Sequence, residues 1–194
     1  MSVAPDERDV FDGGDEPASG GGEEPMLDGG DEPVPDGDGE PGVSVEVGDI
    51  SVADAVADLW VRLAADQRSY GSHLLAETNR QLARDSAAQH AVTGGLLVAR
   101  VDDELVGFMT FSTEQGDYDV DTDRGLIHDL FVATRYRSRG IGARLLEAAE
   151  ERLAADGVDR VSLEAMAANT DARRFYERHG YEPFRVELEK TLDE

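Results

Sequence analysis

Cysteine is absent from this chain, which removes disulfides, thiolate nucleophiles and cysteine-ligated zinc from consideration. Lysine is almost absent: of 18 basic residues, only Lys190 is not an arginine. Proline is confined, with six of the seven lying in the first 42 residues. No apolar run is long enough to span a bilayer and no basic-then-apolar leader opens the chain, so the cytoplasm is the expected location. The four histidines show no ligand spacing, and no metal is expected.

Positive charge is scarce as well. Against those 18 bases stand 43 acids, a net charge of −25. Nucleic-acid binding is disfavoured by that balance. Residues 1–42 carry 14 of the acids, ten of the 21 glycines and a single base, Arg8. Such a stretch buries too little apolar surface to offset its ordering entropy and is expected to be a disordered acidic tail. It is either a solvating segment or a docking tail for a basic partner. The other 152 residues still carry −12, so the acidity is not confined to the tail. High acidity with little lysine resembles haloarchaeal cytosolic proteins, where surface carboxylate keeps a fold soluble in salt that screens ordinary repulsion. A mesophilic acidic protein with a disordered tail is the alternative.

Residues 43–194 are of single-domain size, without internal repeats. Val43, Val45 and Val47 alternate as in a strand. Ser51 is a plausible cap for a helix carrying Val52, Ala55, Val56, Leu59, Trp60 and Leu63. A second helix is expected over residues 72–91, with Leu74, Leu75, Thr78 and Leu82 on one side. Two apolar strands, 95–101 and 105–113, joined by Asp102, Asp103 and Glu104, read as a hairpin. A strand at 126–132, a helix at 141–155, a strand within 158–166, a helix at 170–179 and a last strand at 181–188 complete the order. The pattern is β-α-α-β-β-β-α-β-α-β, which implies an α/β (α+β) mixed sheet flanked by helices.

Chemistry concentrates between residues 126 and 184. The strand Leu126–Val132 leads through Arg137-Ser138-Arg139-Gly140-Ile141-Gly142 into a helix. Strand, glycine-bearing loop and helix N-terminus present unpaired N–H groups and a positive dipole end to an anion such as phosphate. A Walker A loop needs a lysine that is absent, and a dinucleotide fingerprint needs a glycine where Leu145 stands. What remains, Arg-x-x-Gly-x-Gly, resembles the acetyl-CoA pyrophosphate loop of the GNAT superfamily of N-acetyltransferases. Further on, Asn169 followed by Phe175-Tyr176 and Gly180-Tyr181 resembles the closing motif of that family. The resemblance runs from about Val43 to the C-terminus, with its specific part between Gly125 and Phe184.

The resemblance implies a GNAT fold, a mixed, mostly antiparallel sheet of six to seven strands with about four helices. It also implies acetyl-CoA as co-substrate, direct acetyl transfer to an amine, and a role for each motif residue. The loop amides from Arg137 to Ala143 (Ser138, Arg139, Gly140, Ile141 and Gly142 between them) would hold the pyrophosphate. Arg137 and Arg139 would either contact phosphate or sit in solvated ion pairs. Leu130, Phe131 and Val132 would meet the pantetheine through their backbone. Asn169 would cap the last helix and contact the cofactor arm. Tyr176 would protonate the leaving thiolate, or else would be a packed helix aromatic beside Phe175.

For the base, His128 and Asp129 interrupt an apolar strand, and simple alternation places them on opposite faces. The spermidine/spermine-type acetyltransferases carry Glu-Asp where this chain has His128-Asp129. A histidine near pKa 6.5 could accept the proton directly or through water. Glu164 is a third candidate. The acceptor side would include the acidic segment 114–124, Tyr70 and His73. The acidic segment suits a small-molecule amine such as a polyamine or aminoglycoside, or a basic peptide, or else is an ordinary solvated loop. Two alternatives stand beside this: an acetyltransferase for protein N-termini or lysines, and a CoA-binding regulatory module without turnover. A homodimer is possible, and no membrane partner is expected.

Overall fold

The computed structural model describes residues 42–114 and 120–192. The expected tail therefore lies outside the described residues, apart from Gly42, as do residues 115–119 of the acidic segment. The elements are β1 (Val43–Val47), α1 (Ala53–Arg68), α2 (Arg80–Thr93), β2 (Leu96–Val101), β3 (Glu104–Thr113) and β4 (Arg124–Val132). They are followed by α3 (Ile141–Ala155), β5 (Arg160–Leu163) and α4 (Thr170–Arg178). The sheet order is β1-β2-β3-β4-β5, antiparallel except for the parallel pair β4–β5.

Period-2 alternation divides the central strands between two cores. Leu97, Ala99, Met109, Phe111 and Ile127 meet the α3 stripe of Ile141, Leu145, Leu146, Ala149 and Leu153. Leu96, Val98, Phe108 and Phe131 face Ala53, Val56 and Leu59 of α1 and Ala87 of α2. The β2–β3 hairpin turns at Asp102 and Asp103, both with positive φ. Aspartate tolerates that conformation better than most side chains.

Three elements depart from sequence expectation. The helix expected from residue 72 begins at Arg80, and Leu74, Leu75 and Leu82 are 41%, 57% and 68% exposed. The small residues Ala83 and Ala87, not the leucines, carry the buried face. Asp49, not Ser51, supplies the cap at the first helical turn, accepting from the Ser51 N–H at 2.7 Å. The strand expected at 181–188 does not form, so among the described residues the sheet has five strands instead of six to seven. The segment alternates correctly but pairs with nothing among the described residues, and alternation without a partner does not make a ladder.

Candidate functional site

β4 changes character midway. Residues Gly125–Ile127 pair with β3 on one side, and Arg124–Ile127 pair with Arg160–Leu163 of β5 on the other. From Asp129 onward, β4 pairs with β3 alone among the described residues. The break coincides with a bulge: Thr110 lies opposite Asp129 and Phe111 opposite Ile127, so His128 has no partner on β3. A bulge inserts one residue and re-aims the side chains beyond it.

That bulge overturns the alternation argument for His128 and Asp129. Ile127 packs in the α3 core. Asp129 lies with Val56, Trp60, Ala83, Ala87 and Phe108 in a small cleft on the α1/α2 side, and His128 sets its ring 5.2 Å from that of His90 on α2. Both polar residues therefore stand on one face. Each is held by a β3 hydroxyl: the Thr110 Oγ1 donates to Asp129 Oδ2 at 2.9 Å, and Ser112 Oγ meets His128 Nε2 at 2.9 Å. Burial pushes the Asp129 carboxyl up, opposed by the Thr110 hydrogen bond, nearby His128 and the Trp60 indole.

Tyr176, on α4, is close enough to feel that carboxylate. Its phenol is pushed up to about 12, chiefly by burial and then by the Asp129 charge. Its ring packs edge-on against Phe175 at 5.1 Å and Tyr181 at 5.7 Å. Asn169 starts the helix, its Oδ1 accepting from the Ala172 N–H at 3.1 Å. Gly180 ends it at φ +86°, with the Tyr181 N–H returning to the Tyr176 carbonyl. Acceptor capacity on Phe175 is taken by His179, whose Nδ1 lies 2.7 Å from that carbonyl.

The loop before α3 has Ser138 at φ +62° and Gly140 at φ +75°. Gly140 is the N-cap and offers no side-chain cap, so the first-turn N–H groups of Ile141, Gly142 and Ala143 have no intrahelical partner. At Gly142, a Cβ would reach within 3.6 Å of the Phe175 ring, which brings α4 over the start of α3. Arg137 is anchored, donating to the Val132 carbonyl at 2.9 Å and to Asp66 at 2.8 Å. Arg139 lies over the Tyr136 ring at 5.4 Å.

Leu130 and Val132 turn toward the α3 core and Phe131 toward the α1/α2 core, so the side chains of this trio are used in packing while one backbone edge stays open. Glu164 lies just beyond β5, exposed, instead of within the strand. His73 is exposed and paired with Glu189 at 2.8 Å. Tyr70 stands in the turn after α1, half-buried. Among the described residues no group of His, Asp and Glu is arranged to hold a metal ion. Nor is any helix long and apolar enough to cross a membrane.

Four site residues escaped the sequence: Trp60, His90, Thr110 and Ser112. Trp60 reads as an ordinary core residue at helical spacing. Thr110 and Ser112 are the polar interruptions of β3, a signal that matters only once the register pairs them with Asp129 and His128.

The chain's similarity to known proteins bears on its family and its fold. Residues 60–181 match the Acetyltransferase (GNAT) family. An uncharacterized N-acetyltransferase of Archaeoglobus fulgidus is 38% identical over 82 residues, 42% of this chain and 56% of that protein. The uncharacterized N-acetyltransferase YhfO of Bacillus subtilis is 35% identical over 92 residues, 45% of this chain and 58% of its own length. The matched stretch thus spans little more than half of either relative. A GCN5-related N-acetyltransferase from Ralstonia eutropha superposes with a TM-score of 0.63 at 22% identity, over 78% of this chain and 99% of that one. An aminoglycoside acetyltransferase from an uncultured soil metagenomic sample superposes at 0.56 and 20% identity, over 78% and 97%. With the divided β4, the uncapped α3 and the Asn169–Tyr176 helix in the matched span, the chain belongs to the GNAT acetyltransferase family.

Proposed function

We propose that this chain moves an acetyl group from acetyl-CoA to a primary amine by direct transfer in a ternary complex, with a small-molecule amine as the favoured acceptor. The observation that carries the reading is the open half of β4, flanked by the α3 N-terminus and Tyr176. Period-2 alternation sends the backbone groups of Leu130 and Val132 to that edge while Phe131 turns its own to β3, and the outward groups, apart from the Val132 carbonyl that Arg137 holds, fit the amides of a pantetheine arm. Free N–H groups from Ile141 to Ala143, with the preceding loop from Arg137, fit a pyrophosphate. Arg137, fixed by Val132 and Asp66, shapes that loop and lends it positive charge. Asn169, the cap of α4, would border the arm.

Bound acetyl-CoA would supply an activated thioester carbonyl and a thiol leaving group. Asp129 and His128 are the candidate bases, both on the face that Trp60 and His90 line. A carboxylate pushed up by burial is a better proton acceptor near neutrality than an ordinary one. Either base takes one proton from the ammonium and leaves a neutral amine to attack. As the C–N bond forms and the C–S bond breaks, the proton shed by nitrogen must end on sulfur. Tyr176 stays protonated through the neutral range, so it acts as a fixed O–H donor at the leaving sulfur. It releases its proton only as it regains one.

A small cationic acceptor suits the chain's net charge of −25 and the carboxylates of segment 114–124, part of which lies outside the described residues. The name of the soil-metagenome neighbour, an aminoglycoside acetyltransferase, points the same way. The acidity further suits a cytosol rich in salt. The test is acetyl-CoA-dependent thiol release in molar KCl with polyamines, aminoglycosides, amino acids and basic or N-terminal peptides. Saturable release with one small-amine class supports the reading. Release with peptides alone transfers it to protein acetylation, and CoA binding without release from any amine replaces it with a regulatory module.

A further inference from the structure

Helix α2 roofs the cleft that holds Asp129, contributing Ala83, Ser86 and Ala87, with Val56 and Trp60 of α1 beside them. The cleft has a volume of about 20 Å³, room for a single water molecule. So dry a cleft needs its roof to stay down, and α2 has little apolar surface with which to hold itself there. Its two large apolar residues, Leu82 and Val92, are both exposed. Only alanines point inward: Ala83 and Ala87 are buried, and Ala88 and Ala91 pack against the same core. Each alanine buries one methyl group, a fraction of what a leucine buries.

Polar contacts hold the two ends of the helix instead. At the C-terminal end, His90 donates from Nδ1 to the Phe111 carbonyl at 3.1 Å, and the Gly95 N–H returns to the His90 carbonyl at 2.8 Å. The N-terminal end is held by charge. Arg80 reaches Asp58 at 2.8 Å and Asp54 at 3.6 Å, and Arg84 reaches Asp54 at 3.0 Å and Asp85 of its own helix at 3.3 Å. Arg80 and Arg84 are spaced i, i+4, as are Asp54 and Asp58, so two bases on one helix face two acids on its neighbour. Arg80 is out of place for the helix it opens. The first turn of α2 has no acidic residue, Asn79 gives no side-chain cap, and a cation at a helix N-terminus opposes the dipole. Local helix stability does not account for Arg80; the aspartates of α1 do.

We propose that Arg80 and Arg84 are positioning residues: by clasping Asp54 and Asp58 they hold α2 closed over Asp129 and keep its carboxyl out of water. The catalytic consequence rests on Asp129 acting as base in the proposed acetyl transfer. The groups facing Asp129 are the Thr110 hydroxyl from β3, His128 from its own strand, the Trp60 indole from α1, His90 from α2 and the Tyr176 phenol from α4. None of them belongs to the clasp, so the arginines act on the carboxyl through the roof and not by contact. Opening the roof admits water and relieves the burial that pushes the Asp129 carboxyl up.

Trp60 is the sole tryptophan of the chain and lines the cleft, so its fluorescence reports the roof independently of activity. The experiment compares the full chain with its Arg80→Glu/Arg84→Glu variant, at the lowest salt at which both melt cooperatively, because salt screens exposed pairs. The double reversal sets like charges against Asp54 and Asp58. Acrylamide quenching of Trp60 is expected to rise about twofold, and its emission to move to the red. In thiol release, the acid limb of kcat/KM is expected to move down by about one pH unit as the carboxyl becomes hydrated. Adding Asp54→Arg and Asp58→Arg restores opposite charges and is expected to return both readouts to the parental values. If the reversed variant does not fold, Arg80→Gln/Arg84→Gln removes the attraction without adding repulsion, and is expected to move both readouts the same way by less. The proposal is overturned by quenching that ignores the loss of the arginines, or by a fourfold variant that does not recover. It is overturned too by an acid limb that stays in place while quenching changes, which is what a merely structural clasp would give. Absence of thiol release from the parent with every amine would end the acetyl-transfer reading, and the quenching would still decide the clasp.

Discussion

The two halves of β4 are built from one strand and do opposite things. In the first half, Gly125 and Ile127 are buried and the backbone is paired on both edges. A Cβ on Gly125 would lie 2.7 Å from Leu153 of α3, so this half is closed by packing. In the second half, one edge is open and the polar side chains are held by hydroxyls of β3. A single unpaired residue, His128, separates them. Under the proposed function, stability belongs to the first half and chemistry to the second, and each variant below asks whether that division holds.

The largest effect is expected at the open half. Tyr176→Phe keeps the ring that packs on Phe175 and Tyr181 and removes only the hydroxyl. Thiol release is expected to fall about 10²- to 10⁴-fold in kcat, with melting temperature little changed. An unchanged kcat would reduce Tyr176 to a packing residue and leave the second half without its proton donor.

At the closed half, Leu153→Ala should do the reverse. Leu153 is 1% exposed and packs against Gly125. Its truncation is expected to cost about 2–5 kcal/mol in denaturant unfolding, while KM for acetyl-CoA in the folded fraction stays put. A KM shift larger than the stability loss would join the two halves into one functional unit.

Much of the closed half was legible in the sequence, and much of the open half was not. The α3 stripe falls at helical spacing, and the helix occupies Ile141–Ala155 as its apolar period demands. The glycine loop, Asn169 and Tyr176 are local patterns, readable because their spacing lies within one helix or turn. His128 and Asp129 were legible as polar interruptions, but their shared face depends on a bulge set by pairing with β3. That non-local register is invisible to periodicity. His90 is further removed, 38 positions upstream of His128 and brought to it only by the packing of α2 on the sheet. Leu74, Leu75 and Leu82 misled for the converse reason: they have helical spacing but no surface to meet.

Asp129→Asn separates chemistry from stability within the open half. Its effect on turnover is expected at the low end of base removal, about 10²-fold, because His128 shares the face. The stability effect has the opposite sign. A carboxyl raised by burial contributes stability that is full below its unfolded pKa, near 3.9, and is lost as pH rises through the folded value. Asparagine carries no charge and its carbonyl still accepts from Thr110. The variant is therefore expected to melt above the parent at neutral pH, with the gap closing on acidification. A gap that does not change with pH would mean that the carboxylate is solvated, and the cleft beside Trp60 would then be open water.

The smallest effect is expected at His90, and it tests how dry the open half is. Its Nδ1 lies 3.1 Å from the Phe111 carbonyl, which only accepts, so that nitrogen carries the proton. Burial first, and His128 second, hold its pKa below the ordinary value, while the Phe111 carbonyl and Asp129 pull the other way. A histidine of depressed pKa binds fewer protons folded than unfolded. It contributes stability that is full above about pH 6.5 and lost as pH falls through the folded pKa. His90→Gln keeps an N–H donor for Phe111 and cannot titrate. Between about pH 7 and pH 5, its melting temperature is expected to fall less steeply than that of the parent. Equal slopes would place the His90 ring in water, and the stack with His128 would then be a surface contact and not a wall of the site.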